Sequence, residues 1–420
     1  MKPQLLLMDI SNAGNTSGVD RYMEVLTEGL ATQTEWEVVR LHFVHDNALI
    51  AHRRIDHREK KYTEIRLPMP EISDPMIGQQ FWAEKFYQTA MEILEGYGLG
   101  PDIRLIHLHT LNLIDLATLI KQKYHCPIIT HLHCIPWKSY LNRDTKLFNR
   151  LYALYYNEKK INPTLFLTNN GNEIRAYRNA NCIICLTRCA QEFVNNVAGI
   201  PLQKLPLIAN GMQDDVPDVP TCKLQSGHSV KKLLYVGHLS RSKGIYALLE
   251  SLERLRKQGI NVMLNAVGSV APSFNAWAAK QYPSLRFHFP GVVNADRLRR
   301  YYQEADMGII VSLQEQSSYV AIEMMRAALP IVTTAADGLD EMFEDGVNAL
   351  KVPLCFDSYR GLRPDKELLD RAIIKLIKND SLSEQLARNA RKLYLNKHTA
   401  ERMWRETWTV YHQLLNSNQA

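Results

Sequence analysis

Hydrophobic residues in this chain form short unbroken runs that alternate with segments of helical periodicity. In the first half the runs are QLLLMDIS, EVVRLHFV, IRLIHLHT, PIITHLHC, NCIICLT and LPLIAN. In the second half they are KKLLYVG, NVMLNAVG, RFHFPG, MGIIVS, LPIVTT and NALKV. Such runs are typical of strands that are buried on both faces of a parallel sheet. Their alternation with helices predicts an α/β fold with two parallel sheets.

A segment with few apolar residues and no periodicity, DDVPDVPTCKLQSGHS, separates the two sets of strands. We therefore predict a Rossmann-like first domain over residues 1–212, a linker over 213–229 and a Rossmann-like second domain over 230–397. A C-terminal helix over 398–420 is predicted to pack across the domains. Two such domains would enclose a cleft between them.

The net charge and the lengths of the apolar runs limit the kinds of partner and the location that we predict. The net charge of +6 is spread along the 420 residues, which argues against nucleic acid as a partner. The chain has no apolar run of about 18 residues, and its first apolar run is too short for a signal peptide, so we predict a cytoplasmic protein. Lys138 to Asn162 is rich in aromatic and basic residues. This segment is either a helix on the inner face of a membrane or one packed on the first domain with a solvated basic face.

Two glutamates in VSLQEQSSYVAIEMMRAALPIV are candidates for ligand binding. Glu315 follows the predicted strand MGIIVS, and Glu323 lies near the start of the next predicted helix. In open α/β sheets, ligands bind outside the carboxyl ends of the strands. A ligand site is therefore predicted at this pair.

Two loops that follow predicted strands have features of phosphate sites. Gly14 and Gly18 lie between the first strand and its helix, where free backbone amides suit phosphate or sugar hydroxyls. Arg241 and Lys243 lie in the corresponding loop of the second domain, where two cations suit a diphosphate. The alternative for each loop is an ordinary solvated turn.

Two histidine pairs end predicted strands, His107 with His109 and His131 with His133. Residues two apart share a face of a strand, so each pair is expected to lie together. Strand spacing brings together only pairs, and no carboxylate is obviously linked to them, so we predict no metal site. A catalytic or substrate-binding histidine at the strand end is the favoured interpretation. The chain also contains no Asp-x-Asp, so no metal-bound diphosphate is expected.

In order along the chain, these motifs resemble the family-4 retaining glycosyltransferases of GT-B fold. IANG is similar to the hinge motif of that family, and LLYVGHLSRSKG is similar to its motif in which Gly-Arg after a strand is followed by Lys-Gly. The segment from Glu304 to Leu350 resembles the family's stretch with two glutamates and a glycine-rich turn. The resemblance extends over nearly the whole chain and implies a GT-B fold.

The resemblance implies roles for individual residues. Glu323 would bind the ribose hydroxyls of the donor nucleotide, and Glu315 would contact the transferred sugar. Lys243 would bind the diphosphate. His133 would contact the donor sugar and orient the reaction, so His133, Glu315 and Lys243 are the candidate catalytic residues.

Further donor contacts are implied at helix starts. Backbone amides around Ser317, Ser318 and Tyr319 would hold sugar and phosphate oxygens. Gly14 and Gly18 would border the donor phosphate and the acceptor.

The chain departs from the family pattern at three positions. His238 stands where the family has an arginine, and Arg241 is the alternative source of that charge. Ser317-Ser318 replaces a Phe-Gly pair and alters the sugar pocket. Ala328 replaces a glycine.

The predicted function is transfer of a hexose from a UDP- or GDP-linked donor with retention of configuration, in the synthesis of a surface glycan. No cofactor is expected. The acceptor is a polysaccharide, a lipid-linked glycan or a peptide. The alternatives are a catalytically degenerate nucleotide-sugar-binding or partner protein and a sugar-nucleotide epimerase of the same architecture.

Overall fold

The computed structural model describes residues 2–12, 18–45, 51–69, 79–135, 150, 176–216, 230–357 and 361–417. The chain divides into two compact units, Met1–Met212 with Ala400–Ala420, and Gln213–Thr399. Each unit is built on one extended, mainly parallel sheet. The predicted α/β fold with two Rossmann-like parallel-sheet domains is confirmed.

The first sheet has seven strands in the order β3-β4-β2-β1-β5-β6-β7. Only β3, at the edge, runs antiparallel to its neighbour. The strands are β1 (Gln4–Asn12), β2 (Glu37–His45), β3 (Arg53–His57), β4 (Tyr62–Pro68), β5 (Ile103–Leu108), β6 (Ile128–Leu132) and β7 (Cys182–Cys185).

Helices cover both faces of this sheet, because alternate side chains of its central strands are apolar on each face. The described helices of the unit are α1 (Gly18–Leu30), α2 (Gln79–Gly96), α3 (Ile114–Tyr124), α4 (Arg188–Ala198) and α12 (Ala400–Ser417). Helices α2 and α3 pack on the face that carries Leu6, Met8, Ile106 and Leu108. Helix α12 belongs to this unit and contacts α1, with Trp404 against Gly29.

The second sheet has six parallel strands in the order β10-β9-β8-β11-β12-β13, and a separate hairpin pairs β14 with β15. The strands are β8 (Lys231–Val236), β9 (Val262–Val267), β10 (Arg286–Gly291), β11 (Met307–Ile310), β12 (Ile331–Thr334), β13 (Leu350–Val352), β14 (Leu354–Asp357) and β15 (Gly361–Pro364). The helices are α5 (Ile245–Lys257), α6 (Phe274–Gln281), α7 (Ala295–Glu304), α8 (Tyr319–Arg326), α9 (Asp337–Met342), α10 (Lys366–Lys378) and α11 (Asp380–Lys397).

The structure differs from the expectation at a few elements. The predicted strand LPLIAN forms only one isolated bridge, between Leu207 and Cys185. Strands β3 and β4 and the β14–β15 hairpin were not predicted from the sequence. Gly14, most of Lys138–Asn162 and most of the predicted linker lie outside the described residues. Of the helices that the structure does describe, none combines the length and the apolar character that crossing a bilayer needs.

A buried polar cluster surrounds Glu64 near the edge of the first sheet. The Glu64 carboxylate on β4 is hydrogen bonded to His42 at 2.9 Å, His57 at 3.0 Å and Arg66 at 3.1 Å. Burial raises the pKa of Glu64, but these hydrogen bonds together outweigh burial and hold the pKa well below its usual range. The ionised carboxylate is therefore more stable in the folded than in the unfolded chain.

We expect acid to destabilise the first domain through Glu64. A carboxyl group with a depressed folded pKa takes up a proton on unfolding, so its stabilisation is present above about pH 4.5 and is lost as the pH falls below that value. The slope contributed is at most about 1.4 kcal/mol per pH unit for one proton. Five of the six tryptophans lie in the first unit, so urea unfolding followed by tryptophan fluorescence reports on it. Glu64→Gln should flatten the pH dependence, whereas Glu401→Gln, on the surface of α12, should leave it unchanged.

Candidate functional site

The strand order of the second sheet creates a switch point between β8 and β11. The chain leaves β8 to build β9 and β10 on one side, and it returns at β11 to build β12 and β13 on the other. Strands β8 and β11 pair in parallel, so their carboxyl ends lie at the same edge. A strand order that reverses in this way marks a switch point, and doubly wound sheets bind ligands in the crevice outside the carboxyl ends of its strands.

A glycine allows the two loops of the switch point to meet. Gly244 ends the loop after β8 with a φ of 75°, and a Cβ at this position would lie 1.9 Å from the carbonyl oxygen of Val311. Leu313 N–H donates a hydrogen bond of 2.9 Å to the carbonyl of Ser242. The loop after β8 and the loop after β11 are therefore held against each other.

Lys243 and Glu315 form an ion pair between these loops. Ser312 Oγ donates a second hydrogen bond of 3.0 Å to the same carboxylate oxygen, Oε1. The backbone of Glu315 is also fixed, since its carbonyl accepts a hydrogen bond of 2.8 Å from Gly338 N–H. The lysine side chain is 37% exposed and the glutamate side chain 16% exposed, so the pair lies at the surface of the crevice.

Tyr235 on β8 positions the loop that carries Lys243. Its hydroxyl donates a hydrogen bond of 2.8 Å to the carbonyl of His238 and also lies 3.3 Å from the carbonyl oxygen of Lys243. Burial, together with the charge of Glu315, raises the pKa of Tyr235 well above its usual value, so the phenol stays protonated and remains a donor. The sequence analysis did not identify this residue, because its position on a buried strand is equally typical of a core aromatic.

The start of α8 faces the same loop. Ser318 caps the helix, and its Oγ accepts a hydrogen bond of 3.3 Å from Ala321 N–H. The side chain of Tyr319 is buried, whereas Ser317 is half-buried. The first turn of any helix has backbone amides without intrahelical partners and a positive dipole end, which suits anionic or hydroxyl ligands.

Glu323 lies one turn into α8 and is 3% exposed. Its Oε2 accepts a hydrogen bond from the hydroxyl of Tyr302, which is itself buried on α7. Tyr302 was not predicted from the sequence, since no spacing motif connects it with Glu323. The contact fixes one carboxylate oxygen of the glutamate.

The two basic candidates beside Lys243 have partners of their own. His238 Nδ1 is hydrogen bonded to Ser269 Oγ at 2.8 Å, and both groups are exposed. The guanidinium of Arg241 lies 5.5 Å from the ring centre of Tyr246, within the range of a cation–π contact. Both side chains are in the loop after β8, as predicted, next to Lys243 in the chain.

The first-domain candidates lie in their own unit. Gly18 begins α1, and Gly14 falls outside the described residues. His133 Nε2 is 3.2 Å from Nδ1 of His109, and its ring packs edge-on to Tyr22. Burial lowers the pKa of His133 to about 3, so its imidazole is neutral at pH 7.

Of the second-domain candidates, the structure brings Lys243 and Glu315 into direct contact at the switch point. The ion pair of Lys243 and Glu315 joins residues that are 72 positions apart in the chain. The contributions of Ser312, Tyr235 and Gly338 were not predicted. Of these three residues, only Ser312 leaves a sign in the sequence, because it ends the apolar run MGIIVS.

Comparisons with known proteins identify relatives of the second half of the chain. Residues 223–393 match the model of the family described as glycosyl transferases group 1. The chain is 25% identical over 221 residues to the capsular polysaccharide biosynthesis glycosyltransferase CapM of Staphylococcus aureus, which covers 50% of this chain and 55% of CapM. Matches to four curated glycosyltransferases span only 55% to 63% of each relative's length.

Solved structures match over a longer range. Sucrose-phosphate synthase from Thermosynechococcus elongatus superimposes with a TM-score of 0.76 at 19% identity, and covers 99% of this chain and 100% of its own. Anabaena HepE in complex with UDP and glucose superimposes with a TM-score of 0.67 at 16% identity, covering 98% and 100%. Residues 223–393 therefore carry the sequence pattern of glycosyl transferases group 1, and the two domains have the GT-B fold.

Proposed function

We propose that this protein is a retaining glycosyltransferase that moves a hexose from a UDP- or GDP-linked donor to an acceptor. The observation that carries the proposal is the pairing of Lys243 with Glu315 at the β8–β11 switch point, beside the start of α8. A cation, a carboxylate and the amides of a helix start in one crevice are the groups that a sugar diphosphate requires.

The proposed reaction depends on stabilising charge on the leaving nucleoside diphosphate. That charge grows as the bond between the sugar and the phosphate breaks. Lys243 and the amides at the start of α8 are fixed before the reaction begins, and preorganised groups of this kind stabilise the transition state most effectively. Arg241 adds a second positive charge in the same loop, so the proposal requires no metal ion at the diphosphate.

The second carboxylate suits the nucleoside part of the donor. Glu323 is buried and has one oxygen held by Tyr302, which orients the carboxylate toward a defined partner. Ribose hydroxyls that donate to a charged acceptor form stronger hydrogen bonds than neutral pairs do. We propose that Glu323 binds the ribose and that Glu315 contacts the transferred sugar, next to Lys243 at the diphosphate.

Relatives support a narrower form of the proposal. HepE was solved with UDP and glucose, and CapM acts in capsular polysaccharide biosynthesis. We infer a nucleotide-linked hexose as donor and a surface glycan or glycoconjugate as product. The roles of Gly14, Gly18 and His133 in the donor site stay predictions, as does contact of residues 138–162 with a membrane.

Turnover of the donor tests the proposed activity. We expect slow release of nucleoside diphosphate when the purified chain is incubated with one of a panel of UDP- and GDP-hexoses, because water replaces a missing acceptor. Proton NMR of the released sugar would report its anomeric configuration, and we expect retention. A chain that binds nucleotide without any release would instead be a catalytically degenerate binding protein. Conversion of the donor into another nucleotide sugar would indicate an epimerase and contradict the proposal.

A further inference from the structure

Four histidines lie side by side on one face of the first sheet. Strands β5 and β6 pair in parallel with Leu108 opposite Thr130, so the positions of His109 and His131 are adjacent across the two strands. Alternation along each strand places His107 with His109 and His131 with His133 on the same face. The sequence shows two separate pairs, whereas the strand register joins them into one cluster.

Three of these imidazoles use one ring nitrogen in a hydrogen bond and leave the other without a partner. Nδ1 of His107 is 2.6 Å from the Tyr411 hydroxyl, and Nδ1 of His131 is 3.2 Å from the Tyr22 hydroxyl. Nδ1 of His109 is 3.2 Å from His133 Nε2. Within the described part of the chain, Nε2 of all three histidines is buried and has no hydrogen-bond partner.

Three buried ring nitrogens without hydrogen-bond partners destabilise the fold unless a bound group contacts them. The three side chains are 0%, 4% and 2% exposed for His107, His109 and His131, so solvent does not replace the missing partners. A buried polar atom without a partner has lost its hydrogen bonds to water and gained none in return, so it destabilises the fold. Each such atom in a native structure needs an explanation, and a single bound ion would satisfy all three of these at once.

We propose that His107, His109 and His131 bind one Zn²⁺ ion inside the first domain. One ring nitrogen from each of the three lies within 4.8 Å of the other two. Ligands on a tetrahedral zinc are separated by about 3.4 Å when each Zn–N bond is about 2.1 Å, so small side-chain rotations close the site. Neutral imidazole is a common ligand of zinc and related transition metals.

The surroundings of the cluster support the same ion. Burial lowers the pKa of each of the three histidines well below its usual value, so each is neutral at pH 7, the form that binds metal. Tyr411, Tyr22 and His133 are placed to accept a hydrogen bond from Nδ1, as the outer partners of metal-bound histidines do.

Zinc sites with three protein ligands keep a fourth position for another group. The nearby carboxylate of Asp9 does not supply this ligand. Arg40 donates to both oxygens of Asp9, from Nε at 3.0 Å and from Nη2 at 2.6 Å. Asp9 is therefore held by Arg40 and is not available as the fourth ligand.

Metal analysis of the full-length chain tests this site. The protein is stripped with a chelator, reloaded with Zn²⁺ or Co²⁺ and dialysed before its metal content is measured. We expect one ion per chain, a rise in Tm on loading, and visible absorption bands of tetrahedral Co²⁺. His109→Gln and His131→Gln should abolish retention.

Two further variants test the proposal even if a histidine variant fails to fold. Tyr411→Phe removes only the acceptor for His107 Nδ1 and should weaken Zn²⁺ about 10- to 100-fold, as loss of an outer partner does elsewhere. His57→Ala alters the other histidine cluster of this domain, around Glu64, and should leave metal retention unchanged. A chain that retains no metal, or that loses it with His57→Ala instead, would overturn the proposal.

Discussion

Replacing Lys243 with alanine is expected to lower the rate of sugar transfer by about 10²- to 10³-fold, the usual effect of removing one preorganised group that faces developing charge. Lys243 is the cation that lies against Glu315 at the switch point, and its loop is fixed by Tyr235 and Gly244. The substitution removes this charge and leaves the loop's backbone contacts in place. Release of nucleoside diphosphate from the donor identified in the turnover assay is the readout.

A second lysine of the same domain, on β8 itself, provides a matched control. Lys232 lies near the other end of β8 and pairs with Glu304 at 3.2 Å. Lys232→Ala removes the same charge from the same domain, so a general electrostatic effect would appear in both variants. Equal rates for Lys232→Ala and Lys243→Ala would contradict the assigned role of Lys243. Lys243→Arg should recover part of the activity, because it restores the charge but not the shape of the ammonium group.

The Gly338→Ala substitution is expected to destabilise the second domain and to weaken the site together. A Cβ at Gly338 would lie 1.6 Å from the carbonyl oxygen of Gln316, and backbone cannot rotate away as a side chain can. Overpacking of this kind costs about 1–3 kcal/mol. The strain falls on the loop that carries Glu315, because Gly338 N–H is bonded to the Glu315 carbonyl.

Calorimetric unfolding and nucleotide titration measure the two effects of Gly338→Ala. Gly96→Ala is the control, since a Cβ at Gly96, the last residue of α2, would meet nothing within 4 Å. We expect the control to match the wild type in both measurements. Unchanged stability in Gly338→Ala would show that the loop of residues 315–317 moves freely and does not fix Glu315 before ligands bind.

The central elements of both domains follow directly from the sequence. Runs such as KKLLYVG and MGIIVS become β8 and β11, because unbroken apolar stretches of this length are stable only when both faces of the strand are buried. The loop positions of Lys243 and Glu315 follow from the ends of those runs. Their contact does not, because it depends on which strands are neighbours in the sheet.

The strands that the sequence analysis did not predict have no unbroken apolar run. Strand β3 has the sequence RRIDH and lies at a sheet edge, where charged side chains are tolerated and protect against pairing with other chains. The β14–β15 hairpin has strands of only four residues each, too short for an alternation of apolar and polar residues to stand out in the sequence. The LPLIAN run was predicted as a strand, but within that segment only Leu207 pairs with β7.

The histidine cluster shows a second limit of sequence analysis. Two-residue spacing predicts His107 with His109 and His131 with His133, but only the pairing of β5 with β6 brings the two pairs together. Tyr411 joins the cluster from more than 300 positions away, through α12. No local pattern predicts such a contact, and the expectation of no metal site was based on the separate pairs.

Titration calorimetry with UDP, GDP and ADP on the wild type and on Glu323→Ala tests the central claim most directly. We expect one nucleotide to bind the wild type, and we expect the variant to lose about 100-fold or more in affinity, because hydrogen bonds to a charged group contribute about 1.5–3 kcal/mol each. Circular dichroism would verify that the variant is folded. If no nucleotide binds the wild type, or if Glu323→Ala binds it equally well, the donor site does not lie at the β8–β11 switch point.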